Sequence, residues 1–431
     1  MTHMPILHRL SGRDGVAQLR TFLDEAGRID ETFRYFTKRP LDVIGGHLCT
    51  WLLVEDGRAV AYGHLERDGG VVWLGIAVQE RAQGRGYGRA MMTVLLDAAR
   101  ACGVGRVRLS VDNRNVRAIR LYERTGFTKA AAGDGITFFE RDLTPPARVV
   151  VSSVAFGDMP VASMIDAAKR EQFALEFSSG LPHDPDAVRT FREAGVARFA
   201  HGYFPAPAEP FVVNLASPDA DSRRRSIEHC VQGLELSHAA GAPFFSAHAG
   251  FCADVDPGQL GGRELPESRN GRAHAWARFV EAIREVLART FHLPVGLLVE
   301  NHVVVPVNRR ADGSHALLCA DPDEAVRLIE DVRDPRLGLL CDTAHWKVTA
   351  STLGFDRAEA VERTLPYMRC VHHSDNDGVV DDNRPFDERY WFLPFRARAR
   401  HAVHVLETRA AIADLHRMNA LLFGPGPVRS S

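Results

Sequence analysis

Apolar and polar positions alternate in two different ways along this chain, and the change falls near residue 145. Before it, residues 49–78 (CTWLLVEDGRAVAYGHLERDGGVVWLGIAV) read as a meander of half-buried strands with turns at Asp56-Gly57 and Gly69-Gly70. A helix is expected over GVAQLRTFLDEA upstream, and another after the glycine-rich turn QGRGYG, with Met91, Leu95 and Ala98/Ala99 on its apolar face. A strand (VRLSVDNRN), a helix (VRAIRLYERTGF) and a last strand (ITFFERDL) complete the first part. After residue 148 the pattern becomes short, unbroken apolar runs separated by helical-period stretches such as DSRRRSIEHCVQGLELSHAAG and HAWARFVEAIREVLART. Eight such runs begin at VVVSSVAF, FALEFSSG, VARFAHGYF, APFFSAHAGF, VGLLVENH, LGLLCDTAH, RCVHHSDN and AVHVLET. Apolar runs flanked by helices read as parallel strands covered on both faces, and eight alternations predict a (β/α)8 barrel.

The domain expectation follows: an α+β domain with a central mixed sheet over 1–143, a stiff linker Thr144-Pro145-Pro146-Ala147, a barrel over 148–424, and a flexible Gly/Pro-rich tail over 425–431. The segments after His201 and after Asp375 are too long for bare connectors and are expected to cover the barrel mouth.

Charge is unevenly spread. Through Pro146 there are 21 Lys+Arg against 17 Asp+Glu, and the remainder has 32 against 38, so the balances are +4 and −6. The first part suits an anionic ligand, whereas the second is a poor match for nucleic acid. The seven cysteines lack CxxC spacing and mostly sit in apolar runs, as reduced core residues of a cytoplasmic protein do. The N-terminus lacks a signal-peptide core, and no apolar run approaches a membrane span.

The chemistry concentrates at strand ends. Glu176, His201, His248, Glu300, Asp342 with His345, His372 and Glu407 each follow or end an apolar run. A buried carboxylate needs a cation, a proton or several donors to offset desolvation. Glu300, Asp342, His372 and Glu407 are therefore expected to form one metal site at the C-terminal ends of the barrel strands. Mixed carboxylate and imidazole donors suit Mn, Co, Fe or Zn, with Mg possible.

Two resemblances follow from these residues. Gln83-Gly84-Arg85-Gly86-Tyr87-Gly88, then Asn115 and a helix carrying Tyr122 and ending in Gly126-Phe127, resemble the GCN5-related N-acetyltransferases (GNAT). That resemblance implies acetyl-CoA as donor and an amine as acceptor. The loop would hold the pyrophosphate, backbone donors at Ile76 and Val78 would face the thioester, and Tyr122 would protonate the leaving thiolate. Glu80, His64 and Glu66 are candidate bases without preference, and ETFRYF lies where such enzymes contact the acceptor.

The strand-end order Glu, Asp-x-x-His, His-x-x-Asp, Glu resembles the xylose isomerase-like barrels, which include sugar epimerases and endonuclease IV. By that resemblance Glu300, Asp342, His372 and Glu407 are the metal ligands, and His345 is a substrate-contacting or second-metal histidine. His372 is preferred over His373 by its spacing to Asp375. Glu300 and Glu407 would exchange a proton next to a substrate carbonyl. Arg384, Arg389, Lys347 and Trp346 are candidates to contact a sugar or its phosphate. His201 and His248 could serve a second metal or the substrate, whereas Asp381-Asp382-Asn383 lacks the histidine of the endonuclease loop. The expected partners are small sugars and amines, neither nucleic acid nor membrane, and a homo-oligomer is compatible. A lyase reading of the barrel and a regulatory acetyl-CoA-binding reading of the first part stand as alternatives.

Overall fold

The computed structural model describes residues 5–31, 33–37, 39–143, 149–257 and 271–424. By its contacts the chain divides into two units, 1–144 and 145–431. The segment 144–147 and the tail 425–431 lie outside the described residues.

The first unit runs β1 (Ile6–Arg9), α1 (Gly12–Asp24), β2 (Cys49–Glu55), β3 (Arg58–Asp68), β4 (Val71–Val78), α2 (Tyr87–Ala101), β5 (Arg106–Asp112), α3 (Val116–Arg124), β6 (Thr128–Gly133) and β7 (Ile136–Asp142). Its mixed seven-stranded sheet has the order β1-β2-β3-β4-β5-β7-β6, with only β4 and β5 parallel. Both expected tight turns are present, with Asp56, Gly57 and Gly69 at positive φ. The apolar side of α2 (Met91, Met92, Leu95, Ala98, Ala99) packs on the sheet at Gly63, where a Cβ would stand 2.7 Å from Met91 Sδ. The strands β1 and β6 were not expected. β6 (TKAAAG) is an edge strand exposed at every position, so it carries no apolar alternation to reveal it.

The second unit alternates as its apolar runs require: β8 (Val150–Ser152), α4 (Val161–Glu171), β9 (Ala174–Phe177), α5 (Ala187–Glu193), β10 (Arg198–Ala200), α6 (Ala220–Ala239), β11 (Phe244–His248), α7 (Gly271–Arg289), β12 (Gly296–Glu300), α8 (Pro322–Val332), β13 (Leu337–Asp342), α9 (Thr343–Leu353), α10 (Arg357–Thr364), β14 (Met368–His373), β15 (Val403–Leu406) and α11 (Ile412–Phe423). All eight strands are parallel, in the order β10-β9-β8-β15-β14-β13-β12-β11. A single parallel bridge, His201 to Ser246, joins the two end strands and closes the ring. Leu298, Leu340, Cys370 and Val405 pack inside the ring, while the larger core lies between strands and helices.

Polar side chains therefore gather at one end, where the strands terminate. Trp346 is 1 % exposed and packs edge-on to Phe355, so it belongs to the core and not to a sugar pocket. Lys347 Nζ lies 2.6 Å from Asp375 Oδ1, and Arg384 is engaged with Asp382 and Asp377. These pairs tie down the loop after β14. Arg389 is exposed on the same loop.

Candidate active sites

In the first unit, β4 and β5 pair only at Val72–Val107 and Trp73–Arg108. Beyond Trp73, β4 continues to Val78 with β3 as its partner, and the parting of β4 from β5 opens a cavity of about 1220 Å³. Ile76, Val78, Gln83, Gly84, Gly86, Tyr87, Gly88, Asn115 and Tyr122 all line it. Gly84 and Gly86 sit at φ +84° and +92°, a region that L side chains avoid. Gly86 is the N-cap of α2 and supplies no side-chain cap, so the first amides and the positive end of that helix remain available to an anion. These features fit a pyrophosphate.

Several of the expected cofactor residues also hold the cleft together. Arg85 is paired with Glu55 at 2.9 Å, and the Tyr87 hydroxyl donates to the same carboxylate. Gln83 Oε1 accepts from Arg117 at 2.6 Å. Asn115 caps α3 by accepting from the Ala118 amide at 3.1 Å. Tyr122 is buried, and burial pushes its hydroxyl well above the usual tyrosine range, which keeps it a proton donor.

In the second unit, one ligand atom from each of Glu300, Asp342, His372 and Glu407 falls within 4.8 Å of the others. Glu300 and Asp342 end β12 and β13, His372 is the last residue but one of β14, and Glu407 immediately follows β15. The pleat of β14 separates its two histidines. His372 Nδ1 faces Glu407 Oε2 (2.6 Å), Glu300 Oε1 (3.7 Å) and Asp342 Oδ2 (3.9 Å). His373 turns outward to the Tyr390 hydroxyl (2.9 Å) and His404 Nδ1 (2.8 Å).

The remaining expected histidines converge on the same place. His201 and His248 each put Nε2 3.3 Å from Glu300 Oε2, an oxygen that is buried without a well-aligned hydrogen bond. His201 Nδ1 lies 3.0 Å from Ser246 Oγ. His345 donates Nδ1–H to the Asn301 carbonyl at 2.8 Å, which leaves its Nε2 3.2 Å from Asp381 Oδ2. That contact requires either a second proton on the ring or a cation.

Burial drives the acids up: Glu300 well above the carboxylate range and Asp342 to about 6. Burial works against His372 and His345, yet Glu176 and Glu407 around the first, and Asp342 and Asp381 around the second, hold both well above the imidazole range. Protons thus balance a carboxylate cluster that a divalent ion would balance in their place. With orphaned buried oxygens on Glu300 and Glu176 and imidazole nitrogens aimed inward, the donor set fits a metal.

A profile described as "Xylose isomerase-like TIM barrel" matches residues 161–404. The chain belongs to that family. A second profile, "Acetyltransferase (GNAT) family", matches residues 15–127. Among curated relatives, a mycothiol acetyltransferase of Beutenbergia cavernae is 40% identical over 86 residues, 19% of this chain and 29% of that protein. A probable endonuclease 4 of Mesomycoplasma hyopneumoniae is 24% identical over 171 residues, 39% of this chain and 52% of that protein. The chain thus spans about a third to a half of the length of these relatives. A solved D-tagatose 3-epimerase-like protein shares the barrel fold at TM-score 0.50 and 18% identity, covering 64% of this chain and 95% of that one. Among the described residues, no helix is long and apolar enough to cross a membrane.

One site residue was underread from sequence. Glu176, the last residue but one of β9, is fully buried with Oε2 3.0 Å from His372 Nε2. Its position after an apolar run marked it as polar and buried, but nothing in the local pattern links it to a residue 196 positions away.

Proposed function

We propose that the barrel is a divalent-metal-dependent isomerase or epimerase of a sugar or sugar phosphate. On this reading the first unit is an acetyl-CoA-dependent N-acetyltransferase. The observation that carries the barrel half is the convergence of Glu300, Asp342, His372 and Glu407 within 4.8 Å at the strand ends. These four residues would hold the ion. When bound, the ion would supply Lewis-acid polarisation of a carbonyl and its adjacent hydroxyl, and stabilise developing negative charge. Glu300 and Glu407 come from β12 and from the end of β15, flanking the two strands between them. From these two flanks one carboxylate removes the proton next to the carbonyl and the other returns it, by way of an enediolate. His345, anchored on the Asn301 carbonyl, would exchange the contact of its Nε2 with Asp381 for one to a substrate hydroxyl.

In the first unit the glycine-rich loop and the N-terminus of α2 bind the pyrophosphate. Ile76 and Val78 offer backbone hydrogen bonds along the open edge of β4, and Tyr122 gives its proton to the departing thiolate. The name of the matched mycothiol acetyltransferase is consistent with acetyl transfer; the amine acceptor follows from the GNAT resemblance, and a shared pathway for both halves points to an amino sugar or its derivative. Acetyl-CoA and small sugars as reactants support a cytoplasmic protein. Incubating the holoprotein with keto sugars in D₂O tests the barrel reading: solvent deuterium should enter the carbon beside the carbonyl, and no exchange with any sugar would count against it. A dehydrated product would assign a lyase instead.

A second reading rests on the contacts of His201 and His248 with Glu300, and of His345 with Asp381. These could hold two or three ions for phosphodiester hydrolysis, as the name of the matched endonuclease suggests. The acidic balance of this part disfavours DNA. Cleavage of an abasic-site oligonucleotide separates the two readings. For the first unit, loss of barrel activity in a Gly86→Glu variant, with acetyl transfer never detected, would favour the regulatory alternative.

A further inference from the structure

A second cavity of about 730 Å³ in the first unit meets the acetyl-donor cleft at Leu74, Gly75, Ser110 and Val111, where β4 and β5 part. Strand register fixes what it presents. His64 pairs with Gly75 and Glu66 with Trp73 across β3 and β4, while Ser110 pairs with Phe138 across β5 and β7. Partners across strands and residues two apart share a face, so these side chains stand on the side of the sheet opposite α2. Two kinds of lining result. Trp73 and Phe138, 6.2 Å apart and edge to face, form an accessible aromatic wall, with Phe138 36 % exposed. Glu66, half-buried, stands beside that wall on the neighbouring strand.

Glu66 is held by a hydrogen-bonded chain. It accepts from the Tyr35 hydroxyl, whose oxygen lies 2.7 Å from His47 Nε2, and His47 Nδ1 lies 2.9 Å from Thr50 Oγ1. One consistent set of protons runs through it: Thr50 O–H to His47 Nδ1, His47 Nε2–H to Tyr35, Tyr35 O–H to Glu66. His47, His64 and Glu66 could also gather donors around a metal. Both His47 nitrogens are already committed, however, and its ring stacks on His64 at 4.6 Å and 18°. His64 is fully buried, and burial holds it well below the usual imidazole range, so it is a poor proton acceptor. Glu80, the other candidate base, lines the donor cleft and accepts from the Arg28 amide at 3.2 Å; it does not line this cavity.

We propose that this cavity is the acceptor site, that Glu66 takes the proton of the incoming ammonium, and that the acceptor is a primary amine carried on a flat apolar face, aryl or sugar, lying against Trp73 and Phe138. The assignment rests on the acetyltransferase reading. In the reaction, Glu66 removes one ammonium proton, and the freed nitrogen lone pair forms the N–C bond to the thioester carbonyl carbon. The C–S bond breaks, and the thiolate takes a proton from Tyr122. The nitrogen's remaining excess proton leaves to water.

The test uses the full chain. Acetyl-CoA binding is measured by calorimetry, and thiol release is followed with tyramine and with D-glucosamine as the two probes. Wild type should bind acetyl-CoA and acetylate at least one probe, and which one it takes distinguishes an aryl from a sugar face. Glu66→Gln should keep acetyl-CoA affinity within about twofold and lose about 100-fold in kcat. Trp73→Ala should raise the acceptor KM about fivefold with kcat little changed. If Glu66→Gln fails to bind acetyl-CoA through misfolding, Glu66→Asp should give an intermediate kcat. Acetyl-CoA binding without acetylation of either probe, or wild-type turnover in the Glu66 variants, overturns the acceptor assignment and leaves the donor site standing. Failure of wild type to bind acetyl-CoA overturns the acetyltransferase reading itself.

Discussion

Glu176 Oε2 lies 3.0 Å from His372 Nε2, while the other nitrogen of the same ring faces Glu300, Asp342 and Glu407. A neutral imidazole carries one N–H. Donating it to Glu176 leaves the Nδ1 lone pair directed at the carboxylates, where a metal would be. A carboxylate behind a ligating histidine sets its tautomer and raises its basicity. Glu176→Gln preserves shape but removes the charge, and should weaken metal affinity by about 10- to 100-fold. Competition against a chromogenic chelator measures it; unchanged affinity would mean that Glu176 does not orient the ligand.

His404 gives a pH prediction outside the site. It is 3 % exposed, bonded to His373 and the Ala399 carbonyl, and burial lowers it to about 4. The unfolded chain binds a proton near pH 6.5 that the folded chain refuses until about pH 4. Stability from this group is therefore whole above pH 6.5 and falls as pH drops toward 4, by about 1 kcal/mol at pH 5.5. Denaturant titrations at pH 7.5 and 5.5 should show a smaller acid loss in His404→Gln than in wild type.

Gly75 is predicted to be intolerant of any side chain. A Cβ there would stand 2.1 Å from His64 Cε1, and His64 is itself enclosed by Tyr35, Tyr62 and His47. Gly75→Ala should destabilise the first unit by about 1–3 kcal/mol and suppress acetyl transfer. A variant with wild-type melting behaviour and turnover would show that the ring moves aside freely.

The architecture was legible because each barrel strand is buried on both faces and so reads as an apolar run, and because the residues that end those runs are the ones the ring brings together. VGLLVEN and LGLLCDTAH carry Glu300 and Asp342 as their first polar positions, so strand and site were readable at once. What escaped was non-local. The role of Glu176 depends on closing a ring between β9 and β14. The engagement of Lys347 and Arg384 with acids of the loop after β14 depends on how that loop folds back. In the first unit, Glu66, His64 and Glu80 were equivalent as isolated residues; in the fold Glu80 lines the other cavity, and burial separates His64 from Glu66, which share one.

The number of ions follows from the outer contacts. If one ion sits among Glu300, Asp342, His372 and Glu407, then His345→Ala should leave metal content near one equivalent, since its Nε2 faces Asp381. Elemental analysis of that variant checks this; loss of an equivalent from a total of two or three would assign His345 and Asp381 to a further ion.

Elemental analysis of protein purified without added metal, wild type beside the Glu300→Gln/Glu407→Gln double variant, decides whether the barrel holds a metal at its strand ends. About one equivalent of Mn, Co, Fe or Zn is expected in wild type, and its loss in the variant. A wild-type protein that holds no metal even after it is supplied, or a double variant that retains its metal in full, would contradict the metal site.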